Sequence, residues 1–302
     1  MNQILLSICI PTYNRCEVLD NTLNSLFSNP EFDSNKIEVI ISDNCSDDDT
    51  QVTVGKYPLA KYYRNKENVK DGIFLNIALE YANGHYIKLF NDTVSFKPGA
   101  LGSMINHIEE NLGSGNNLFF YQNMFLNKNR KIIINNAVSY LKEVSFLSTW
   151  IVNFGIWIDD FNKIEDKNRY SKLLFPQVDW SYKTVQNKKN TVIYFDDYYD
   201  VYTPNKKGGY PFFDTFINNY LYIIKQQDFS LINYEIEKFR LCNRFVFKWL
   251  NILFIKEKSK YNFDTSGTFK IILKRYWYEP YLYFLFLWFS IKRVVKYKKG
   301  SN

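Results

Sequence analysis

The chain is poor in the residues that build metal clusters and disulfide frameworks. Its 302 residues include four cysteines, Cys9, Cys16, Cys45 and Cys242, and two histidines, His85 and His107. No C-x-x-C pair occurs, which argues against a zinc ribbon or a disulfide scaffold and favours a reducing compartment. His85 is expected to begin a strand and His107 to lie on a helix, so the two do not form a metal pair. No window reaches the roughly 20 apolar residues of a membrane-spanning helix. The opening "MNQILLSICIPTYNR" lacks a basic leader, and Ser7 breaks its short apolar run, so it reads as a first strand and not as a signal peptide. There is no internal repeat. Acidic residues are scarce at the carboxyl end: residues 240–302 hold 14 Lys or Arg against 3 Asp or Glu, a local balance of +11. The remainder holds 24 against 28, a balance of −4. The basic character therefore belongs to the C-terminal segment and points to an anionic partner there, membrane or nucleic acid.

What is present is a globular composition, 46% hydrophobic and 23% charged, with aromatics at 19%. The first third alternates strand and helix signals. Ile4 to Ile10 is β-branched and stops at Pro11. Leu19, Leu23 and Leu26 follow at helical spacing, and "IEVII" (Ile37 to Ile41) is a second buried strand. Lys61 to Tyr63 begins a third, Phe74 to Ala82 carries a helical face, and Tyr86 to Phe90 is a fourth short strand. Pro98 and Gly99 open a helix marked by Leu101, Met104, Ile105 and Ile108. This order predicts an α/β fold with a mostly parallel sheet flanked by helices. Ligands of such sheets collect beyond the carboxyl ends of the strands, and three polar clusters fall there: "PTYNR", "SDNCSDDDT" and "NDT". Further on, "NNLFFY" and "TVIYF" are strand candidates. Residues 1–210 are expected to form one domain, and 211–302 a helical segment rich in aromatic and basic residues.

"SICIPTYNR", "VIISDNCSDDDT", "YYRNKENV" and "GHYIKLFNDTVSFKPGAL" occur in order on a matching strand pattern. Together they resemble the successive nucleotide-site motifs of family 2 glycosyltransferases of the GT-A fold, in the flavour of bacterial enzymes that build O-antigen or capsular polysaccharide. The likeness covers roughly the first 110 residues; "NKKGGYPFF", with Gly208, Gly209 and Tyr210, resembles a later segment more loosely. The resemblance implies transfer of a sugar from a nucleotide-sugar to a hydroxyl, usually with inversion and a divalent metal.

Residue by residue, Asp43 falls where the family accepts the ring N–H of a uracil or thymine; as a bare pattern it is equally a turn acid or a helix cap. Pro11, Thr12, Tyr13 and Arg15 end the first strand. Tyr13 can pack on a flat base or simply close a turn, and Arg15 can offer charge to a phosphate. Asn65 and Asn68 line a ribose or build turns, and Asp47, Asp48 and Asp49 read as a solvated run that starts a helix. The family's Asp-x-Asp positions fall here on Asn91 and Thr93, with Asp92 between them. All three offer oxygen ligands that suit Mg²⁺ or Mn²⁺, with less protein charge than usual; the alternative is a mere turn. The family draws its catalytic base from the second half of the domain. Asp179 in "FPQVDW" is the first choice, with Asp159 and Asp160 beside Trp157 as rivals.

"YLYFLFLWF" (Tyr281 to Phe289) followed by "KRVVKYKK" is too short to span a bilayer but can lie in its interface against anionic head groups. A helix packed on the catalytic domain or in a dimer interface is the alternative. Nucleic acid is disfavoured, because the aromatics form one apolar block and are not interleaved with Arg or Lys. The expectation is thus an inverting glycosyltransferase at the cytoplasmic membrane face. It would use a UDP-sugar or another nucleotide-sugar and a polyprenyl-linked saccharide acceptor. A non-catalytic nucleotide-sugar-binding subunit is the alternative, motivated by the altered Asp-x-Asp.

Overall fold

A computed structural model describes residues 4–123, 129–187, 190–202, 207–255 and 261–299, with side chains left out at 207–209, 255, 261 and 292–299. The chain forms two compact units, Met1–Tyr202 and Thr203–Asn302.

The first unit is built on a five-stranded sheet of order β3-β2-β1-β4-β8. Its strands are β1 (Leu6–Thr12), β2 (Ile37–Asp43), β3 (Ala60–Arg64), β4 (Tyr86–Leu89) and β8 (Gly155–Trp157). The first four run parallel, and β8 is antiparallel to β4. Every residue of β1 and β2 is buried, as expected of strands covered on both faces. Alternation divides the core in two. Ile8, Ile10, Val39 and Ile41 face a cluster with Leu19, Leu23 and Leu26 of α1 (Cys16–Phe27) and Leu101, Met104 and Ile108 of α4 (Ala100–Asn111). Cys9, Ile40, Ile87 and Leu89 face Leu75, Ala78 and Leu79 of α3 (Ile73–Glu80), together with Phe154 and Trp180. Between β2 and β3 lies the short α2 (Thr50–Gly55).

A second sheet has order β6-β9-β7, from β6 (Asn117–Gln122), β7 (Arg130–Ile134) and β9 (Thr191–Asp196), and β5 (Val94–Phe96) pairs with β10 (Tyr199–Val201). The unit is completed by α5 (Ala137–Val144), α6 (Ile158–Asn162) and α7 (Pro176–Asn187). The strands expected at 86–90, 116–121 and 191–195 and the helix after Gly99 are all present, to within a residue at the ends of the strands.

The second unit pairs β11 (Lys207–Pro211) with β12 (Tyr261–Asp264). Its helices are α8 (Phe212–Asp214), α9 (Tyr220–Lys225), α10 (Leu231–Arg240), α11 (Phe247–Leu250), α12 (Thr268–Tyr276) and α13 (Pro280–Lys299). Gly208, Gly209 and Tyr210 of the loosely recognised segment lie in β11. No described helix is long and apolar enough to cross a membrane. The four cysteines are all free thiols.

Candidate active site

The carboxyl ends of β1 and β2 lie side by side, with Thr12 opposite Asp43, and Arg64 at the end of β3 lies opposite Asp43 on the other flank. Phe90 follows β4 and donates its backbone N–H to Cys9 O of β1. The parallel register thus delivers Arg64, Asp43, Thr12 and the Asn91-Asp92-Thr93 corner to one edge of the sheet, the ligand edge of such folds.

Asp43 is fully buried. Its Oδ1 accepts from Ser46 N (2.9 Å) and Ser46 Oγ (2.6 Å), and its Oδ2 accepts from Tyr62 OH (2.5 Å) and an Arg64 guanidinium nitrogen (3.2 Å). A carboxylate has about four acceptor directions, and internal donors occupy all of them. Burial and the Asp43 carboxylate push the Tyr62 phenol up to about 12, which keeps it a donor. Asp43 therefore organises the corner in which a base would sit. Ser46, Tyr62 and Arg64 were not singled out from the sequence; the signal for Tyr62 and Arg64 was their place in "YYRNKENV".

Asn44, also missed, ties the next loop together. Its side chain donates to Asn68 Oδ1 (3.0 Å) and Val69 O (2.8 Å) and accepts from Asn65 Nδ2 and Val69 N, both at 2.9 Å. Asn65 and Asn68 are thus brought to the site edge with their amides engaged by Asn44. The corners after β1 and β2 are stitched in the same way. Asn14, a non-glycine residue at φ 49°, donates its N–H to Ser46 Oγ and accepts from Asp47 N. Of the acidic run, Asp47 and Asp49 are exposed. Asp48 departs from the solvated role expected of it: it accepts from Cys16 N at the start of α1 (2.9 Å) and from Thr50 N at the start of α2 (3.1 Å). Desolvation raises its pKa, but the hydrogen bonds from Thr50 and Cys16 outweigh this and hold it below the ordinary carboxylate value.

Asp92 is the buried acid of the third cluster. An Arg15 guanidinium nitrogen sits 3.1 Å from Oδ1 and 3.4 Å from Oδ2, Thr12 Oγ1 donates to Oδ2 (3.2 Å), and Thr22 Oγ1 donates to the Asp92 carbonyl (2.9 Å). The Asp92 side chain is 3% exposed and that of Arg15 42%. On either side, Asn91 Oδ1 and Thr93 Oγ1 are buried and have no hydrogen-bond partner among the described residues. Two orphaned hard oxygens beside a carboxylate fit a hard divalent ion. Among the described residues there is no cluster of three or more His, Cys, Asp or Glu. Such an ion would hold to this chain through one carboxylate and neutral oxygens and draw its other ligands from a diphosphate. Pro11 is buried beneath the site, and Tyr13 is 38% exposed beside Thr12 and free to meet a base.

Asp179 lies in the first turn of α7, buried, with Arg169 at 2.8 Å from Oδ1 and Lys183 at 3.3 Å from Oδ2. The start of α7 is seated on the loop after β3: Gly72 N donates to Ser171 O (2.7 Å), and a Cβ at Gly72 would come within 2.7 Å of Pro176 Cδ. That contact seats the start of α7, which carries Asp179, on the loop that follows β3. Asp159 and Asp160 are not brought there. They begin α6 after β8, and because β8 is antiparallel, Trp157 pairs with Tyr86 at the opposite end of β4 from Asp92. Asp160 pairs with Lys163 and Asp159 is exposed.

A mostly parallel α/β sheet with acids and cations gathered beyond its carboxyl edge places the first unit in the class of GT-A-type folds. Residues 7–175 match the profile of glycosyl transferase family 2, and the chain belongs to that family. It is 31% identical over 112 residues to the abequosyltransferase RfbV of Salmonella typhimurium, covering 35% of this chain and 33% of RfbV. It is also 31% identical over 111 residues to the GalNAc(5)-diNAcBac-PP-undecaprenol beta-1,3-glucosyltransferase of Campylobacter jejuni, 35% of each protein. The matched stretch thus spans about a third of each relative. The crystal structure of Staphylococcus aureus TarS 1-349 in complex with UDP-GlcNAc superposes with TM-score 0.57 at 19% identity, covering 84% of this chain and 76% of that one, a likeness of fold.

Proposed function

We propose that the protein is an inverting glycosyltransferase that moves a sugar from a nucleotide-sugar, a UDP-sugar first, to a hydroxyl of a polyprenyl-linked saccharide in surface-polysaccharide synthesis. The observation that carries the reading is the convergence of Asp43, Thr12, Arg15 and Asp92 on one sheet edge, with the orphaned oxygens of Asn91 and Thr93 on either side of Asp92. The relatives, an abequosyltransferase and an undecaprenol-linked glucosyltransferase, and the UDP-GlcNAc complex of the fold neighbour support donor and acceptor class.

In this reading Tyr13 stacks on the base in a corner shaped by Asp43, Tyr62 and Arg64. Asp92, Asn91 and Thr93 would hold Mn²⁺ or Mg²⁺, which would supply neutralisation of charge on the leaving diphosphate. Asp179 accepts the acceptor's proton as the acceptor oxygen bonds to the anomeric carbon and the bond to the diphosphate oxygen breaks. Arg169, 39% exposed, is the partner that the incoming hydroxyl displaces.

The first unit carries this chemistry; the second, which continues the helical segment expected from residue 211, binds anionic membrane on the cytoplasmic side. Among the described residues, 21 large hydrophobic residues are exposed and 15 of them lie beyond residue 203, among them Phe284, Leu287 and Trp288 on α13. The basic side chains of Lys292 to Lys299 that would meet head groups lie outside the described residues. Self-association through the same apolar residues is the competing use. A non-catalytic nucleotide-sugar-binding subunit is the second reading, favoured by the two cations on Asp179.

Purified protein incubated with a panel of nucleotide-sugars and Mn²⁺ tests the reading. Release of UDP from a UDP-sugar, lost in Asp179→Asn with nucleotide binding retained, is the expected result. Binding without release in the wild type would favour the subunit reading, and no stabilisation by any nucleotide would remove both.

A further inference from the structure

Asp92 is a buried carboxylate whose only cationic partner among the described residues is Arg15. Arg15 immediately precedes α1, and one guanidinium nitrogen bridges both carboxylate oxygens while the rest of the side chain reaches solvent. Without ligand the pair is neutral. A dication arriving alone would leave the trio at +2, with a fixed guanidinium beside the metal. Arriving with a nucleotide-sugar diphosphate, which carries two negative charges, the set of Asp92, Arg15, metal and diphosphate sums to zero.

Resting on the metal reading above, we propose that Arg15 is an exchangeable counter-ion. It holds Asp92 in the empty site, gives the carboxylate up to the metal, and turns to the diphosphate that arrives with it. The geometry permits this because Asp92 stays anchored when Arg15 leaves: Thr12 Oγ1 holds one carboxylate oxygen and Thr22 Oγ1 the carbonyl. Arg15 is the mobile member, with a solvent-facing stem and no other ion pair among the described residues. The device excludes free metal, and therefore water-filled metal sites, until a donor is present. Coupling between metal and nucleotide is then a property of Arg15 as well as of Asp92.

The test is Mn²⁺ binding to the full chain, followed by electron paramagnetic resonance of free Mn²⁺, without nucleotide and with UDP. Wild type, Arg15→Gln and Arg15→Lys are compared. Removing the guanidinium is expected to tighten Mn²⁺ binding to nucleotide-free protein on the order of tenfold, the effect of one nearby like charge under water-like screening. It should also shrink the factor by which UDP improves Mn²⁺ binding, and Arg15→Lys should restore both toward wild type. Arg15→Gln leaves the buried Asp92 carboxylate without its cation, so its melting temperature is expected to fall, and Mn²⁺ binding is compared at a temperature where every variant is folded. If Arg15→Gln binds Mn²⁺ no better than wild type while UDP still enhances binding in both, the counter-ion role is wrong and the metal reading stands. If no protein binds Mn²⁺ even with UDP, both are wrong.

Discussion

Asp43 and Lys88 are fully buried charges of the first unit, and the fold answers them differently. Asp43 is met by four donors, so Asp43→Ala strands Ser46, Tyr62 and Arg64 together. The expected loss is about 1–3 kcal/mol of UDP affinity, with a comparable fall in stability, because the donors that shape the base corner lose their common acceptor. Calorimetric titration with UDP beside a denaturation curve checks this, and an unchanged UDP affinity would remove Asp43 from the site. Lys88 donates to Val152 O at 2.5 Å and lies over the Tyr199 ring, with no carboxylate paired to it among the described residues, and desolvation pushes its ammonium down from 10.5 to about 7. Between those values the unfolded chain holds the proton and the folded chain does not, so stability rises with pH from about 7 toward 10.5, by up to about 1.4 kcal/mol per pH unit. Below the folded value both states are protonated and the slope vanishes. Lys88→Met lacks the slope. The stability difference between the two proteins should therefore move in the wild type's favour from pH 7 to pH 10 in urea denaturation, and a constant difference would show that Lys88 stays charged. At this scale the sequence was legible where a motif named a residue, as at Asp43, Thr12 and Asp92. It was silent on Asn44, Tyr62 and Arg64, because hydrogen-bond closure around a buried group depends on register between strands far apart in the chain.

Helix starts around the site are fixed from outside themselves. α1 has no side-chain cap of its own; its first N–H is met by Asp48, 32 residues later, which also serves Thr50 at the start of α2. Asp48→Ala should destabilise the protein by about 1 kcal/mol, the usual worth of a cap. The Asp48 contribution is present above its unfolded pKa and is lost as pH falls through the depressed folded one, so the gap between variant and wild type should close in acid. Thermal melts at pH 7 and pH 3 measure it; a gap that persists in acid would show that Asp48 acts by packing and not by charge. Such a cross-chain cap explains why Asp47 to Asp49 read as a solvated run: local pattern shows a helix start but not which distant helix needs the acid. The end of the sheet to which Asp159 and Asp160 fall was hidden for a related reason, since β8 carries no local mark of running antiparallel to its neighbour.

Across the whole molecule, the parallel order of the first four strands follows from strand-helix alternation and was legible in advance. The role of the second unit was not, because its aromatic residues serve both core and surface. Tyr276 and Leu282 are fully buried, and Glu279 pairs with the buried Lys238, whereas Phe284 is 74% and Leu287 61% exposed. Deleting residues 276–302 would strip core and take Glu279 from the buried Lys238, leaving it Glu235 as its acid partner, so surface substitution is the cleaner probe. Phe284→Ser with Leu287→Ser should reduce co-sedimentation with anionic vesicles on the order of tenfold or more, through lost apolar burial, and leave UDP affinity unchanged. Unchanged sedimentation together with a smaller assembly state would assign the same side chains to a protein interface.

The account's central claim is that Asn91, Asp92 and Thr93 receive a metal-bound nucleotide diphosphate, and UDP titration of wild type and Asp92→Asn, each with Mn²⁺ and with EDTA, tests it most directly. The account predicts that Mn²⁺ raises UDP affinity in the wild type. In Asp92→Asn this gain disappears, and the weaker, metal-free binding through the base corner survives. Equal UDP affinity with Mn²⁺ and with EDTA in the wild type, together with full transferase activity in EDTA, would contradict it.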